Sequence, residues 1–196
     1  MEQFGFEKII LGSGSPRRKF LLESMGLNVE VIRSDVREVY PQTLEHYQIS
    51  DYLACQKADS LAMYVKPGTL LLTADTIVWF GAKVMEKPSN TQEALDTLRA
   101  LSGQQHEVIT SVCFRTADRQ VIKHSTTRVK FAALTDQMIQ YYIDSGQAMD
   151  KAGAYGIQEW IGLVGVASIT GSYTNVVGLP TELVYKTLRA MAETTI

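Results

Sequence analysis

The sequence predicts an α/β protein built on a mixed, twisted sheet with flanking helices. Three observations carry that expectation. Short apolar runs of strand length alternate with segments of helical period, one of those runs is apolar on both faces, and two long alternating segments read as a hairpin. At 196 residues, 45% hydrophobic and 20% charged, the chain can bury a sizeable core. It reads as a single domain over residues 1–196 with room for two lobes around a cleft.

Lys8-Ile9-Ile10-Leu11 is a buried strand, and the glycines of Gly12-Ser13-Gly14-Ser15-Pro16-Arg17-Arg18 let the backbone turn tightly after it. Ser15 suits the N-cap and Pro16 the first helical position, where its missing N–H loses no partner. The helix should run to about Met25, with Gly26 ending it in the left-handed conformation. A helix start gathers unpaired N–H groups, and Arg17 and Arg18 add cations in a turn where a helix prefers acids. That placement reads as a phosphate site around Ser13, Arg17 and Arg18. Ordinary strand-turn-helix architecture with solvated arginines is the competing account.

Residues 29–32 are strand-like, and a charged loop with Asp35, Arg37 and Glu38 follows. Residues 50–65 carry a helical stripe of Leu53, Ala54, Ala58, Leu61, Ala62 and Val65. Lys57 lies one turn from Leu53 and Leu61 and borders that face. It either lays its methylenes on apolar surface or, at a cleft, offers its ammonium to an anion. Pro67-Gly68 leads into residues 69–80, the central strand covered on both sides. Asp75 breaks that run, and a carboxylate there is costly unless paired, hydrogen-bonded or metal-bound. The structural alternative is an aspartate capping a turn at the strand end.

Gly81 turns a hairpin into Lys83-Val84-Met85, and Glu86-Lys87-Pro88 follows. A helix over residues 91–101 begins with Ser89 and Gln92 as a capping box and closes at Gly103. Residues 106–115 and 120–131 alternate as antiparallel strands joined across Ala117-Asp118. Thr135 caps a helix ending near Gly146, and residues 150–158 form a polar, glycine-punctuated loop. A strand over residues 163–169, a turn at Gly171-Ser172 and Gly178-Leu179-Pro180 lead to a last helix reaching about Ala192.

Several classes are disfavoured. Arg17 stands where a dinucleotide-binding G-x-G-x-x-G needs its third glycine, and no Gly-Lys-Ser/Thr follows for a P-loop. The histidines have no zinc-ligand spacing, and no G-x-S-x-G elbow is present. A net charge of −2 gives no footprint for nucleic acid. No apolar run approaches a membrane span, and Cys55 and Cys113 read as free thiols of a reducing compartment, so a cytoplasmic protein is expected. What remains is acids set among cations: Glu38, Asp75 and Asp150 with Arg17, Lys57, Lys87 and Lys151. Acids alone suggest metal, cations alone suggest phosphate, and the mixture suggests a metal-bound nucleotide, since Mg²⁺ takes one or two carboxylates plus phosphate oxygens.

Ser13-x-Ser15-Pro16-Arg17-Arg18, Ala74-Asp75-Thr76, Glu86-Lys87-Pro88, Leu101-Ser102-Gly103-x-x-His106 and Asp150-Lys151-Ala152-Gly153 together resemble the Maf family. So does the closing Gly171-Ser172-Tyr173 with Val177-Gly178-Leu179-Pro180, and the matches fall in order between Leu11 and Leu188. The resemblance implies a nucleoside triphosphate pyrophosphatase that uses a divalent cation, Mg²⁺ or Mn²⁺. It implies a two-lobed fold like that of the inosine triphosphate pyrophosphatases, with the active cleft between lobes. Asp75 becomes the proton acceptor and, with Glu38, a metal ligand. Arg17, Thr76 and Gln158 become substrate-selecting positions, and Ser13, Arg18, Lys57, Lys87 and Lys151 join them around the substrate. Tyr155-Gly156-Ile157-Gln158 resembles the branch acting on dTTP and UTP, and a glutamine amide offers the donor and acceptor that match the O4 and N3–H edge of thymine or uracil. Cytosine inverts that edge. Two departures stand out: Gly12, where alanine is more common, which should loosen the loop, and Glu159-Trp160, where relatives carry glycine and a small residue. The rival expectations are a pyrophosphatase for a modified purine such as 7-methyl-GTP, and a non-catalytic nucleotide-binding factor of septum formation. A homodimer is compatible with all of them.

Overall fold

A computed structural model describes residues 4–193. Strands β1 (Lys8–Leu11), β2 (Val29–Val31), β3 (Thr69–Phe80), β4 (Lys83–Met85), β5 (Gln105–Arg115), β6 (Gln120–Phe131) and β7 (Val166–Thr170) make one sheet. Its order is β2-β1-β3-β5-β6-β7, with β4 paired to β3. β1 runs parallel to β2 and β3, whereas β4 on β3 and β7 on β6 are antiparallel. The mixed α/β class is therefore what the structure has. Parallel neighbours require crossovers, and α1 (Pro16–Ser24) and α2 (Tyr47–Ser60) supply them. The remaining helices are α3 (Thr91–Leu101), α4 (Asp136–Asp144), α5 (Trp160–Gly165), α6 (Tyr173–Val177) and α7 (Thr181–Glu193).

The chain divides into two compact units, with the division falling inside β3, β5 and β6. Of the described residues, the first holds 4–75, Thr110–Ser125 and 178–193; the second holds Thr76–Ile109 and Thr126–Val177. In the first unit the two apolar faces of β3 are both accounted for. Leu70, Leu72 and Ala74 pack with Leu22 of α1 and Val184, Leu188 and Met191 of α7. Leu71, on the opposite face, packs with Ala54 and Ala58 of α2 and with Leu61. The second unit has its own core, in which Leu98 of α3, Val129 and Phe131 of β6 and Tyr142 of α4 are fully buried.

Local expectations hold where capping chemistry is explicit. Ser15 caps α1 through Arg18 N, Pro16 opens the helix, and Thr135 caps α4 through Met138 N. Four details differ. α2 starts at Tyr47, where Gln48 Oε1 accepts from Glu45 N at 3.1 Å, and it stops at Ser60. A 3-10 turn, Ala62–Tyr64, continues the stripe, so Leu61 stays buried although the α-helix has ended. α3 is capped by Asn90 and Glu93, with Asn90 Oδ1 accepting from Glu93 N at 2.9 Å and Glu93 Oε2 accepting from Ser89 N at 2.8 Å. Ser89 and Gln92 are each one residue early. Leu163 and Val164 lie in α5 and the strand begins only at Val166, because Trp160–Gly165 is an apolar run that suits either period. α6 forms beyond the Gly171-Ser172 turn, where Ser172 Oγ accepts from Asn175 N at 3.3 Å.

Gly12 sits where packing leaves little room for a side chain. A Cβ there would lie 2.5 Å from Thr73 Cγ2 and 2.8 Å from Leu61 Cδ1, so these side chains already fill the space an alanine methyl would take. Cys55 and Cys113 are free thiols, as expected, but their side chains are hydrogen-bonded to each other across α2 and β5. Among the described residues no helix is long and apolar enough to cross a membrane.

Candidate active site

On the face of β3 that meets α2, Thr73 and Asp75 follow Leu71 at strand spacing. Thr73 Oγ1 donates to Ala54 O at 2.7 Å, and three residues along the helix Lys57 Nζ donates to Asp75 Oδ1 at 2.6 Å. The strand-helix register therefore delivers the lysine to the aspartate. Asp75 is only 6% exposed, and an unpaired carboxylate at that depth would be strongly unfavourable. Lys57 Nζ also lies 2.6 Å from Oε1 of Glu38, which reaches in from the loop after β2 with its side chain 43% exposed. One ammonium thus joins two carboxylates. It sits in the last turn of α2, where a cation complements the helix dipole.

The corner between β1 and α1 adds cations to this cluster. Arg18 turns back from the first turn of α1, with Nε donating to Gly178 O at 2.8 Å and Nη1 to Ser13 Oγ at 3.2 Å. Burial draws its pKa below the ordinary arginine value. The Asp75 and Glu38 charges oppose that shift and the Arg17 charge reinforces it, so all four groups are within electrostatic reach of one another. Ser13 Oγ also accepts from Ser15 N at 3.2 Å. Both acceptor positions of that hydroxyl are then in use, and its proton is left to donate to an anion. Ser13, Arg17, Arg18, Glu38, Lys57 and Asp75 are thus gathered in the first unit.

The other predicted positions belong to the second unit. Thr76 follows Asp75 on β3 and is half-buried, and Lys87 is exposed in the loop before α3. Lys151 is buried, with Nζ donating to Gln147 O at 2.6 Å, to Asp150 Oδ1, and to Glu159 Oε1 at 2.9 Å. Half-buried Gln158 turns its amide nitrogen toward Glu159 Oε1 at 3.5 Å. Tyr142 of α4 completes this group. Its hydroxyl donates to Glu159 Oε2 and accepts from Gly156 N at 3.1 Å. Tyr142 had no signal in the sequence beyond an apolar helix face, because its partners lie in a loop fourteen or more residues on.

Among the described residues no group of three or more His, Cys, Asp and Glu side chains could hold a metal alone. Glu38 and Asp75 nonetheless converge on one cation position. Two carboxylates are what a magnesium ion takes from protein when phosphate oxygens and waters complete its shell, so the donor set fits an ion that arrives with a nucleotide.

A family model described as Maf-like protein matches residues 8–191. A dTTP/UTP pyrophosphatase of Flavobacterium psychrophilum is 48% identical over 184 residues, 94% of each chain. A dTTP/UTP pyrophosphatase of Bacteroides fragilis is 48% identical over 185 residues, covering 94% of this chain and 96% of its own. Among solved structures, a nucleoside-triphosphatase / dITP/XTP pyrophosphatase of Mycobacterium abscessus overlaps loosely, at 15% identity and a TM-score of 0.41, over 95% of this chain and 97% of that one. With a match running from β1 into α7 and relatives sharing nearly half its residues, the chain belongs to the Maf family.

Proposed function

We propose that this protein is a cytoplasmic nucleoside triphosphate pyrophosphatase that hydrolyses dTTP and UTP to the monophosphate and pyrophosphate, a housecleaning activity on nucleotide pools. The observation that carries the reading is the nearly dry Asp75 held by Lys57 beside Glu38, Arg17 and Arg18, and the names of the relatives support the substrate. Water attacks the α-phosphorus, the bond from that phosphorus to the bridging oxygen breaks, and pyrophosphate leaves with the oxygen. Asp75 takes the proton of the attacking water on Oδ2, because Lys57 fixes Oδ1. Arg17, Arg18 and Lys57 neutralise phosphate oxygens, the Ser13 hydroxyl donates to one, and Lys87 is a further phosphate cation by its family position. Glu38 and Asp75 would hold a divalent cation, Mg²⁺ or Mn²⁺, which when bound stabilises charge developing on the phosphate. Arg17, Thr76 and Gln158 select the nucleotide, with the Gln158 amide reading O4 and N3–H of the pyrimidine.

The test is pyrophosphate release from a panel of ribo- and deoxynucleoside triphosphates and 7-methyl-GTP, with and without Mg²⁺. The expected result is metal-dependent turnover highest on dTTP and UTP. A preference for any purine would refute the substrate assignment, and binding without turnover would refute catalysis.

A further inference from the structure

We propose that Glu159 is a specificity-determining residue: with Lys151 and Tyr142 it forms a buried clamp that fixes the orientation of the Gln158 amide. The inference rests on the reading of Gln158 as the pyrimidine-recognising side chain, and it names what aims that side chain. Glu159 follows Gln158 directly and stands at the N-cap of α5, yet its carboxylate makes no cap there. It turns inward, where Oε1 accepts from Lys151 Nζ at 2.9 Å and Oε2 accepts from the Tyr142 hydroxyl. The carboxylate lies directly against Gly156. A Cβ on that residue would sit 2.6 Å from Glu159 Cδ, so glycine is what lets the loop close over the acid.

Lys151 has three N–H donors, and Gln147 O, Asp150 and Glu159 take all three. While these bonds stand it has none to give a phosphate, so its work is to hold Glu159. Burial, and then the bond to Glu159, push the Tyr142 pKa upward, which keeps the phenol a donor. The same oxygen accepts from Gly156 N, so Gly156-Ile157-Gln158 is tied down at both ends. Between those ties Gln158 Nε2 faces Glu159 Oε1 at 3.5 Å. An amide has oxygen and nitrogen on opposite sides, and a carboxylate attracts only the nitrogen side. Oε1 of Gln158 is therefore turned away from the clamp as an acceptor, and one N–H remains beside it as a donor. A ring with an N–H next to a carbonyl, as in thymine and uracil, pairs with that edge, whereas N3 of cytosine would meet oxygen with oxygen-like charge.

The experiment compares parent, Glu159→Ala, Glu159→Gln and Tyr142→Phe proteins, each checked for folding by circular dichroism. kcat and KM are measured with dTTP and dCTP, and the side-chain amide of Gln158 is followed by nitrogen-15 NMR. Glu159→Ala should lower the dTTP-to-dCTP ratio of kcat/KM by about tenfold or more, mostly through KM for dTTP. Glu159→Gln should restore part of the ratio, and Tyr142→Phe, which removes one anchor and no bulk, should reduce it by a smaller factor. Should Glu159→Ala fail to fold, Tyr142→Phe carries the test. An unchanged ratio, or an equal fall in kcat for both nucleotides with KM unmoved, would overturn the proposal. If the parent itself does not prefer dTTP, the base-reading assignment of Gln158 fails separately. The clamp is then decided by the Gln158 amide signal, which must shift in Glu159→Ala; an unmoved signal overturns it.

Discussion

His106 lies in the core of the second unit, 2% exposed, with its ring 5.5 Å from Phe131 and 5.4 Å from Tyr155. Nε2 shares a hydrogen bond with the Tyr155 hydroxyl at 2.7 Å, while Nδ1 is buried with no hydrogen-bond partner among the described residues. Burial therefore pushes its pKa from 6.5 down to about 4, and the folded protein holds the ring neutral. In the unfolded chain the ring protonates near its ordinary value. The stability this residue contributes is complete above that value and is lost as pH falls toward about 4. A gap of two to three pK units corresponds to about 3 kcal/mol in full, of which about 2 kcal/mol is lost between pH 7 and 5. The perturbation is His106→Gln, whose amide can still meet the Tyr155 hydroxyl but does not titrate. Urea unfolding of both proteins across that pH range gives the difference in their stabilities. The parent should be ahead at pH 7, and its lead should shrink by about 2 kcal/mol by pH 5. A lead that stays constant within about 0.5 kcal/mol would refute the neutral, dry environment assigned to the ring.

Asp75→Asn should lower kcat for dTTP by about a hundredfold or more in a pyrophosphate-release assay, with the fold intact because the amide keeps an acceptor for Lys57. Gly12→Ala should lower unfolding stability by about 1–3 kcal/mol in urea titration, since the new methyl meets Thr73 and Leu61. Asn90→Ala should cost about 1 kcal/mol through loss of the α3 cap, whereas Gln92→Ala should stay within about 0.5 kcal/mol in the same measurement. Lys57→Met should tighten Mn²⁺ binding to nucleotide-free protein by about tenfold, read by calorimetry, because the ammonium no longer competes for Glu38 and Asp75. Unchanged affinity would remove those carboxylates as its ligands.

Much of this was legible in the sequence because the signals were local. The residues around Ser15-Pro16 state a strand, a cap and a helix within a few positions, and the largely apolar run at 69–80 announces a central strand with both ends correct. Asp75 was conspicuous for a physical reason, as a charge where burial forbids one without a partner. Choosing that partner took tertiary information. Lys57 bordered an apolar face, and only the register of α2 on β3, with Ala54 against Thr73, brings it to the carboxylate. Asn90 and Gln92 show the limit in a smaller case, since Ser, Asn, Gln and Glu side chains cluster there and several cap registers are chemically acceptable. The segment 160–165 was ambiguous because a short apolar run punctuated by Gly162 and Gly165 suits either period. Tyr142 was out of reach altogether, since an aromatic on an apolar helix face does not reveal that its hydroxyl serves a distant loop.

In the proposed reading, the charge arrangement in the first unit also bears on which form of the nucleotide is accepted. Lys57 bonds to both Asp75 and Glu38, so the buried carboxylate is compensated without any ligand. A triphosphate arriving alone would compete for that ammonium. Drawing it away would leave Asp75 buried and unpaired, a loss of about 3–5 kcal/mol against whatever the phosphates gain. In the proposed reading, a divalent ion arriving with the triphosphate would be held by Glu38 and Asp75 and would supply positive charge there. The Lys57 ammonium would then turn one donor to the phosphate chain while keeping its bond to Asp75 Oδ1. Glu38, more exposed than Asp75, is the more accessible of the two carboxylates to that ion. Metal dependence would follow from the need to keep Asp75 paired throughout.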